Sequence, residues 1–162
     1  MRTRRNAVSA LAFVCLVAAA GLFAGSPIRV TPESIVWTDA PPTLPPGART
    51  AILEGDPKSD GMFTMRASFP PNYNIPLHTH GRDERVTVLS GVVYIGIGEK
   101  IEKKRETRFG PGSFYVTPTE VPHWVHTGSE GAVIQATGLG PWSVDYVDPA
   151  DDPRKSNKEK ER

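Results

Sequence analysis

The sequence predicts a single all-β domain of the barrel or sandwich type, and three observations carry that prediction. Between Glu33 and Val147 no 3.6-residue apolar period is sustained, while short runs that alternate or are rich in β-branched and aromatic residues recur every ten or so positions. The chain is punctuated by 15 glycines and 16 prolines, which favours many short strands joined by turns over long helices. Its length of 162 residues suits one such domain and still leaves enough chain to enclose a core.

The first segment reads as an address. Arg2, Arg4 and Arg5 precede a stretch from Ala7 to Ala24 that is almost wholly apolar and small, the order of a secretory signal. Ala18-Ala19-Ala20 and Ala24-Gly25-Ser26 offer the small residues an export peptidase needs, so residues 1–26 are expected to be a signal peptide cleaved between 20 and 26. The expected location is therefore periplasmic or secreted, with no membrane contact after cleavage. The alternative is a retained N-terminal anchor, since about eighteen apolar residues lie near the lower limit for spanning a bilayer. Thr3-Arg4-Arg5 partly resembles a twin-arginine signal, with Ala7 where a bulky apolar residue would stand. Cys15, the only cysteine, falls inside this leader, so no internal disulfide is expected.

Residues 27–48 form a Pro-rich lead-in. Pro41-Pro42 and Pro45-Pro46-Gly47 withhold the amides a ladder needs, so this segment is expected to wrap rather than pair. The barrel is expected over 49–147. Its candidate strands, with one ahead of it at Ser34 to Trp37, are Thr50 to Glu54, Phe63 to Phe69, Ile75 to Thr79, Glu84 to Ser90, Val92 to Gly98, Glu106 to Phe109, Ser113 to Thr117, His123 to Thr127, Ala132 to Thr137 and Trp142 to Tyr146. In the run from Phe63 to Phe69, residues Phe63, Met65, Ala67 and Phe69 share one face and Thr64, Arg66 and Ser68 the other, which marks the first face as inward. Glu99 to Arg108 carries eight charges in ten residues and reads as a hairpin with a solvated tip. Residues 148–162 mix both charge signs without an apolar anchor and are expected to be a disordered tail. The net charge of +1, with basic residues confined to the leader, one loop and the tail, gives no reason to expect a nucleic-acid partner.

The chemistry is concentrated in four residues. Of four histidines two occur as His78-Thr79-His80, with Glu84 four residues further and His123 thirty-nine beyond that. Residues two apart on an extended strand project from one face, so His78 and His80 can share a centre. Imidazole nitrogen and carboxylate oxygen suit manganese, iron, zinc, nickel or copper, and a donor from a distant strand would close one side of the shell. The same His-x-His pair is also compatible with a half-exposed strand beside a turn. His126 follows His123 by three residues, which puts it on the opposite face of a regular strand and outside any ligand set.

The longer pattern His78-x-His80-x3-Glu84-x6-Gly91, followed by Gly112-x5-Pro118 and His123, resembles the signature of the cupin superfamily over about fifty continuous residues. Cupins are double-stranded β-helix, or jelly-roll, barrels. The resemblance implies that His78, His80, Glu84 and His123 hold one divalent transition metal. Three positions depart from the pattern: Asn72 and Glu120 stand where glycines are expected, and Thr127 where an asparagine is. Asn72 tolerates a left-handed turn, whereas Glu120 implies an altered turn just before a ligand strand. Leu53-Glu54-Gly55-Asp56-Pro57, Gly140-Pro141-Trp142 and Tyr146 to Pro153 are similar to a narrower group of small single-domain cupins, a likeness that implies no particular reaction.

Thr127 is expected to face inward with His123 and Val125 as a hydrogen-bond partner for a ligand or bound water, and Arg66, Tyr115, Trp124 and Gln135 are further candidate pocket residues. Two functions follow from the resemblance. One is a metal-dependent enzyme acting on a small oxygen-bearing molecule, with a dioxygenase as the leading class and an isomerase or decarboxylase behind it. The other is a barrel that binds a carbohydrate fragment, a carboxylate or the metal itself without turnover. The family likeness also implies a homodimer.

Overall fold

A computed structural model describes residues 26–155. The signal segment and Cys15 therefore fall outside the described residues, with Ser26 alone excepted. Among the described residues nine strands form one curled antiparallel sheet: β1 (Thr38–Asp39), β2 (Arg49–Glu54), β3 (Gly61–Phe69), β4 (Asn74–Thr79), β5 (Glu84–Ile97), β6 (Glu106–Phe109), β7 (Phe114–Thr117), β8 (His123–Gly140) and β9 (Asp145–Tyr146). Among the described residues no helix is long and apolar enough to cross a membrane.

Two long strands organise the barrel. β5 and β8 each replace a pair of expected strands, and they run antiparallel along one another from Glu84↔Gly138 to Ile97↔His123. Near its start β5 pairs with β7, and the facing part of β8 pairs with β3, which continues through β2 to β1. Past the middle β5 pairs with β6, and the facing part of β8 pairs with β4 and so with β9. Each long strand thus passes from one wall of a two-walled jelly roll to the other, the all-β architecture that the strand pattern predicts. The bend is made by glycine: Gly91 and Gly131 have φ of +70° and +72°, and a Cβ on Gly91 would lie 2.1 Å from the Gly131 carbonyl oxygen. Two register shifts, between Val88 and Ser90 and between Gly91 and Val93, absorb the extra residues. An irregularity that turns a strand without ending its pairing reads in sequence as a turn, which is why each long strand looks like two.

The inward face carries the core. Phe63, Met65, Ala67 and Phe69 are buried in strict alternation along β3, and Val86, Val88, Val93 and Ile95 face them from β5. Phe63, Val86, Val88 and Val93 are wholly shielded, each contributing about 1.5–3 kcal/mol on removal from water. The Pro-rich lead-in packs Leu44 onto the same core. It is pinned there by two phenols: Tyr146 donates to the Thr43 carbonyl at 2.9 Å, and Tyr73 donates to that of Pro45.

The structure corrects three local expectations. Ser34 to Trp37 is not a strand. Pro32–Ser34 form a 3-10 turn in which Thr31 and Ser34 bond each other reciprocally, and pairing with β2 begins only at Thr38. In the expected strand from Trp142 to Tyr146 only Asp145 and Tyr146 pair, because Trp142 spends its amide on the Pro57 carbonyl instead of a ladder. Residues 148–155 of the expected tail carry structure: Asp148 caps a 3-10 turn at Pro149–Asp151, and buried Asp152 accepts from the Arg154 guanidinium at 2.7 and 2.8 Å, while the rest of the tail lies outside the described residues. The hairpin tip between β5 and β6 is charged and solvated, and its Glu102 pairs with Lys104 and Arg105 add little at such exposure.

Candidate metal centre

Three strands and two loops bring the candidate ligands together. His78 lies on β4 opposite His123 on β8, and His80 follows in the turn after β4. Glu84 opens β5 on the other wall, so it reaches the centre across the barrel. The two ligand-bearing loops are tied to each other: Asp83 accepts from both the amide and hydroxyl of Thr119 at 3.0 Å, and the Glu120 amide donates to the His80 carbonyl at 2.9 Å. Glu120 takes φ of 61° and Asn72 55°. The turn before the ligand strand therefore keeps a left-handed residue despite the loss of glycine, correcting the expectation of an altered turn, and strain of about 1–2 kcal/mol is retained beside the site.

The three imidazoles are buried, and one nitrogen from each lies within 4.8 Å of the others. The side chain of each is oriented by a backbone carbonyl. His78 Nδ1 is 2.7 Å from Pro76 O, His80 Nδ1 is 2.7 Å from Ser143 O, and His123 Nδ1 is 3.0 Å from Val121 O. A carbonyl can only accept, so each Nδ1 carries a proton and each neutral ring presents Nε2 as a lone pair. Buried His80 Nε2 has no hydrogen-bond partner among the described residues, its nearest charged neighbour being the Glu84 carboxylate. Donors of this type, fixed in the ligating tautomer and converging in a dry site, fit a transition metal. The sequence-expected fourth donor is close but distinct: Glu84 Oε2 is 3.4 Å from His80 Nε2, and Glu84 stands outside the tight group that the imidazoles form.

Electrostatics divide these groups. Burial, with the neighbouring imidazoles adding to it, pushes His78 well below the ordinary histidine range and His123 down to about 4. Both are neutral at pH 7. Burial also opposes a charge on His80, but the Glu84 carboxylate and then the Ser143 carbonyl outweigh it and hold His80 above its ordinary value. Burial raises Glu84, yet His80 and then His123 bring it below the usual carboxylate value. A proton and a metal ion would therefore compete for His80 Nε2, with Glu84 attracting either.

The other expected pocket residues scatter. Tyr115 lines the cavity with the three histidines. Burial, with the Glu84 charge second, raises its phenol well above 10, so it stays an O–H donor. Arg66 and Gln135 do not reach the cavity. They face each other across β3 and β8 on the outer surface, Arg66 Nε donating to Gln135 Oε1 at 3.3 Å, because they alternate with buried Met65, Ala67, Ile134 and Ala136. Trp124 also faces away from the imidazoles. It lies across Gly96, where a Cβ would come within 1.9 Å of its ring, and donates its Nε1–H to Glu106 at 2.8 Å. Thr127 is inward and buried, but its hydroxyl is committed to backbone, accepting from Tyr73 N and donating to Pro70 O. Sequence reasoning missed Leu44 and Trp142, which both line the cavity. Neither lies on a strand whose alternation would have marked it.

Comparison with known proteins places this architecture. Residues 65–135 match the family model described as the cupin domain. No curated protein matches the sequence. Among solved structures, the polyketide cyclase RemF from Streptomyces resistomycificus superposes with a TM-score of 0.61 at 19% identity, over 80% of this chain and 92% of that one. An RmlC-like cupin from Shewanella frigidimarina gives 0.54 at 13% identity over 72% and 94% of the two chains. The DMSP lyase DddQ from Ruegeria pomeroyi gives 0.53 at 19% over 67% and 58%. At these identities the likeness is one of fold. Family match, jelly-roll walls and three convergent imidazoles agree that residues 65–135 are a cupin domain of the cupin superfamily.

Proposed function

We propose that this protein is an exported metallo-cupin in which His78, His80 and His123, with Glu84 as fourth ligand, hold one divalent transition metal and turn over a small oxygen-bearing molecule. The observation that carries this reading is the set of three Nδ1–carbonyl contacts, which leave three Nε2 lone pairs facing one buried centre. A bound ion supplies Lewis-acid or redox chemistry, with a dioxygenase as the leading class and an isomerase or decarboxylase next. The chain's own part is to orient the ligands, exclude water with Leu44, Ile75, Val125 and Ile134, and offer the Tyr115 hydroxyl as a proton-bearing group. Export rests on the leader's arginines and its small apolar run.

A non-catalytic reading is favoured by one feature: the cavity beside the imidazoles is only about 30 Å³, close to the space of a single water molecule. A barrel that stores an ion, or that grips only the oxygen of a carboxylate or carbohydrate whose body lies outside, would need nothing larger beside the imidazoles. Elemental analysis of protein recovered from its own compartment, followed by oxygen uptake over a panel of small substrates, separates the two. About one ion per chain with substrate-dependent oxygen consumption is the result expected. Less than a tenth of an ion per chain in the wild type, or Glu84→Gln retaining metal as tightly as the wild type, contradicts the ligand set.

A further inference from the structure

Trp142 is a cavity residue that the metal centre does not explain. Its ring lies against the His80 imidazole, with centroids 5.0 Å apart and planes 28° from parallel, and meets Phe63 edge-on at 6.2 Å. Its Nε1 is buried and has no hydrogen-bond acceptor among the described residues. The contrast with Trp124, whose Nε1–H is taken up by Glu106, is direct. Folded chains seldom leave such a donor unsatisfied, so one in a residue that lines a cavity calls for an acceptor from outside the chain.

Two spaces meet at this residue. The inner cavity of about 30 Å³ is lined by the three histidines. Outside it lies a groove of about 570 Å³ between the Pro-rich lead-in and the loop at 56–58. Leu44, Met65 and Trp142 line both, so they form the partition. Only a head group of an atom or two fits inside, and the body of any organic ligand must lie in the groove, whose walls include Pro41, Pro42, Ile52 and Pro57. A cation held by the three histidines would call for an oxygen carrying negative charge, and the indole N–H calls for an acceptor, so a carboxylate oxygen suits both.

We propose that the groove and the inner cavity form one binding site for a small carboxylate with an apolar body, its oxygen accepting from Trp142 Nε1–H and its carbon chain lying against the prolines and Ile52. The proposal rests on the reading that the three histidines hold a metal, and it names the ligand class of that site.

The test uses the full chain loaded with zinc, labelled with ¹⁵N at its three tryptophans, and titrated with acetate and with hexanoate. The Trp142 indole signal, assigned with W142F and W37F, should shift downfield while those of Trp37 and Trp124 stay in place. Hexanoate should bind at least about 10-fold more tightly than acetate, as burial of several CH₂ groups requires. W142F, which keeps the ring but not the donor, should retain zinc and lose about 10-fold or more in affinity for both acids. Ile52→Trp, a change at a half-exposed groove residue, should bring hexanoate down to the level of acetate and leave acetate unchanged. An indole signal unmoved by either acid, or hexanoate no tighter than acetate in the wild type, would overturn the proposal, and neither result depends on a cavity variant. Failure of the wild type to take up zinc would instead count against the metal centre itself.

Discussion

His123 and His126 stand three residues apart on β8 and have opposite fates. His123 faces inward, gives Nδ1 to the Val121 carbonyl and leaves Nε2 open. His126 faces out, stacks on Tyr94 at 4.7 Å and commits Nε2 to Glu106 at 3.0 Å, while the other Glu106 oxygen takes the Trp124 indole. Both clusters contain a histidine, a carboxylate and a tryptophan. The outer one is closed: His126 Nε2 and Trp124 Nε1 both meet the Glu106 carboxylate, and His126 Nδ1 lies 3.3 Å from the Thr127 carbonyl oxygen. The inner one spends each Nδ1 on a backbone carbonyl and keeps three Nε2 nitrogens turned to one centre, that of His80 with the Glu84 carboxylate 3.4 Å away. Strand parity decides which side a histidine takes, and the identity of its Nδ1 or Nε2 partner decides whether it can ligate.

The largest effect that sharpens this contrast is the acid sensitivity of the inner cluster, which sets in at higher pH than that of the outer cluster's Glu106 carboxyl. With a chelator present, His123 is depressed from 6.5 to about 4, so the unfolded chain takes up that proton first. The contribution is complete above about pH 6.5 and is lost as pH falls toward 4, amounting to about 3 kcal/mol at 1.36 kcal/mol per unit. His78, shifted the same way, adds to the loss. His80, shifted upward, contributes below 6.5 and loses its contribution as pH rises, which leaves the acid side in place. Urea unfolding at pH 7 and 4.5 should show the drop in the wild type and a clearly smaller one in His123→Gln.

The outer cluster should answer to hydrogen bonding instead. Glu106→Ala leaves the buried Trp124 donor without its acceptor and should cost about 1–3 kcal/mol, read from the urea midpoint, with metal content unchanged. Loss of metal in that variant would show that the two clusters are not independent. The smallest effect lies in the turn that joins them in sequence: Glu120→Gly removes the left-handed strain and should stabilise the chain by about 1 kcal/mol in the same assay.

What the sequence made legible follows the same division. Residues whose role is set by strand alternation could be placed from spacing: the inward stripe of β3, the pair His78 and His80, and the outward turn of His126. Arg66 and Gln135 have side chains suited to a pocket but alternate with buried Met65, Ala67, Ile134 and Ala136, and that parity sends them outward, as it does Trp124 beside inward His123. Thr127 had the right face, but its hydroxyl was claimed by the backbone at Pro70 and Tyr73, which lie more than fifty positions away. Leu44 and Trp142 enter the site from irregular segments whose path depends on long-range bonds such as Trp142 N to Pro57 O. No local period encodes such a bond. The Glu84 side chain shows a further limit, since spacing put it among the ligands while its distance from the imidazole group is set by packing across the barrel.

The most direct measurement is the number of ions per chain in two variants of β8, His123→Ala and His126→Ala, each loaded under identical conditions and dialysed against a weak chelator. The inward histidine should prove essential, with content falling from about one ion to near zero and affinity dropping about 100-fold or more, since even substitutions one step removed from a ligand cost 10–100-fold. The outward variant should keep its ion. A result in which His126→Ala loses the metal and His123→Ala retains it would contradict the centre described above.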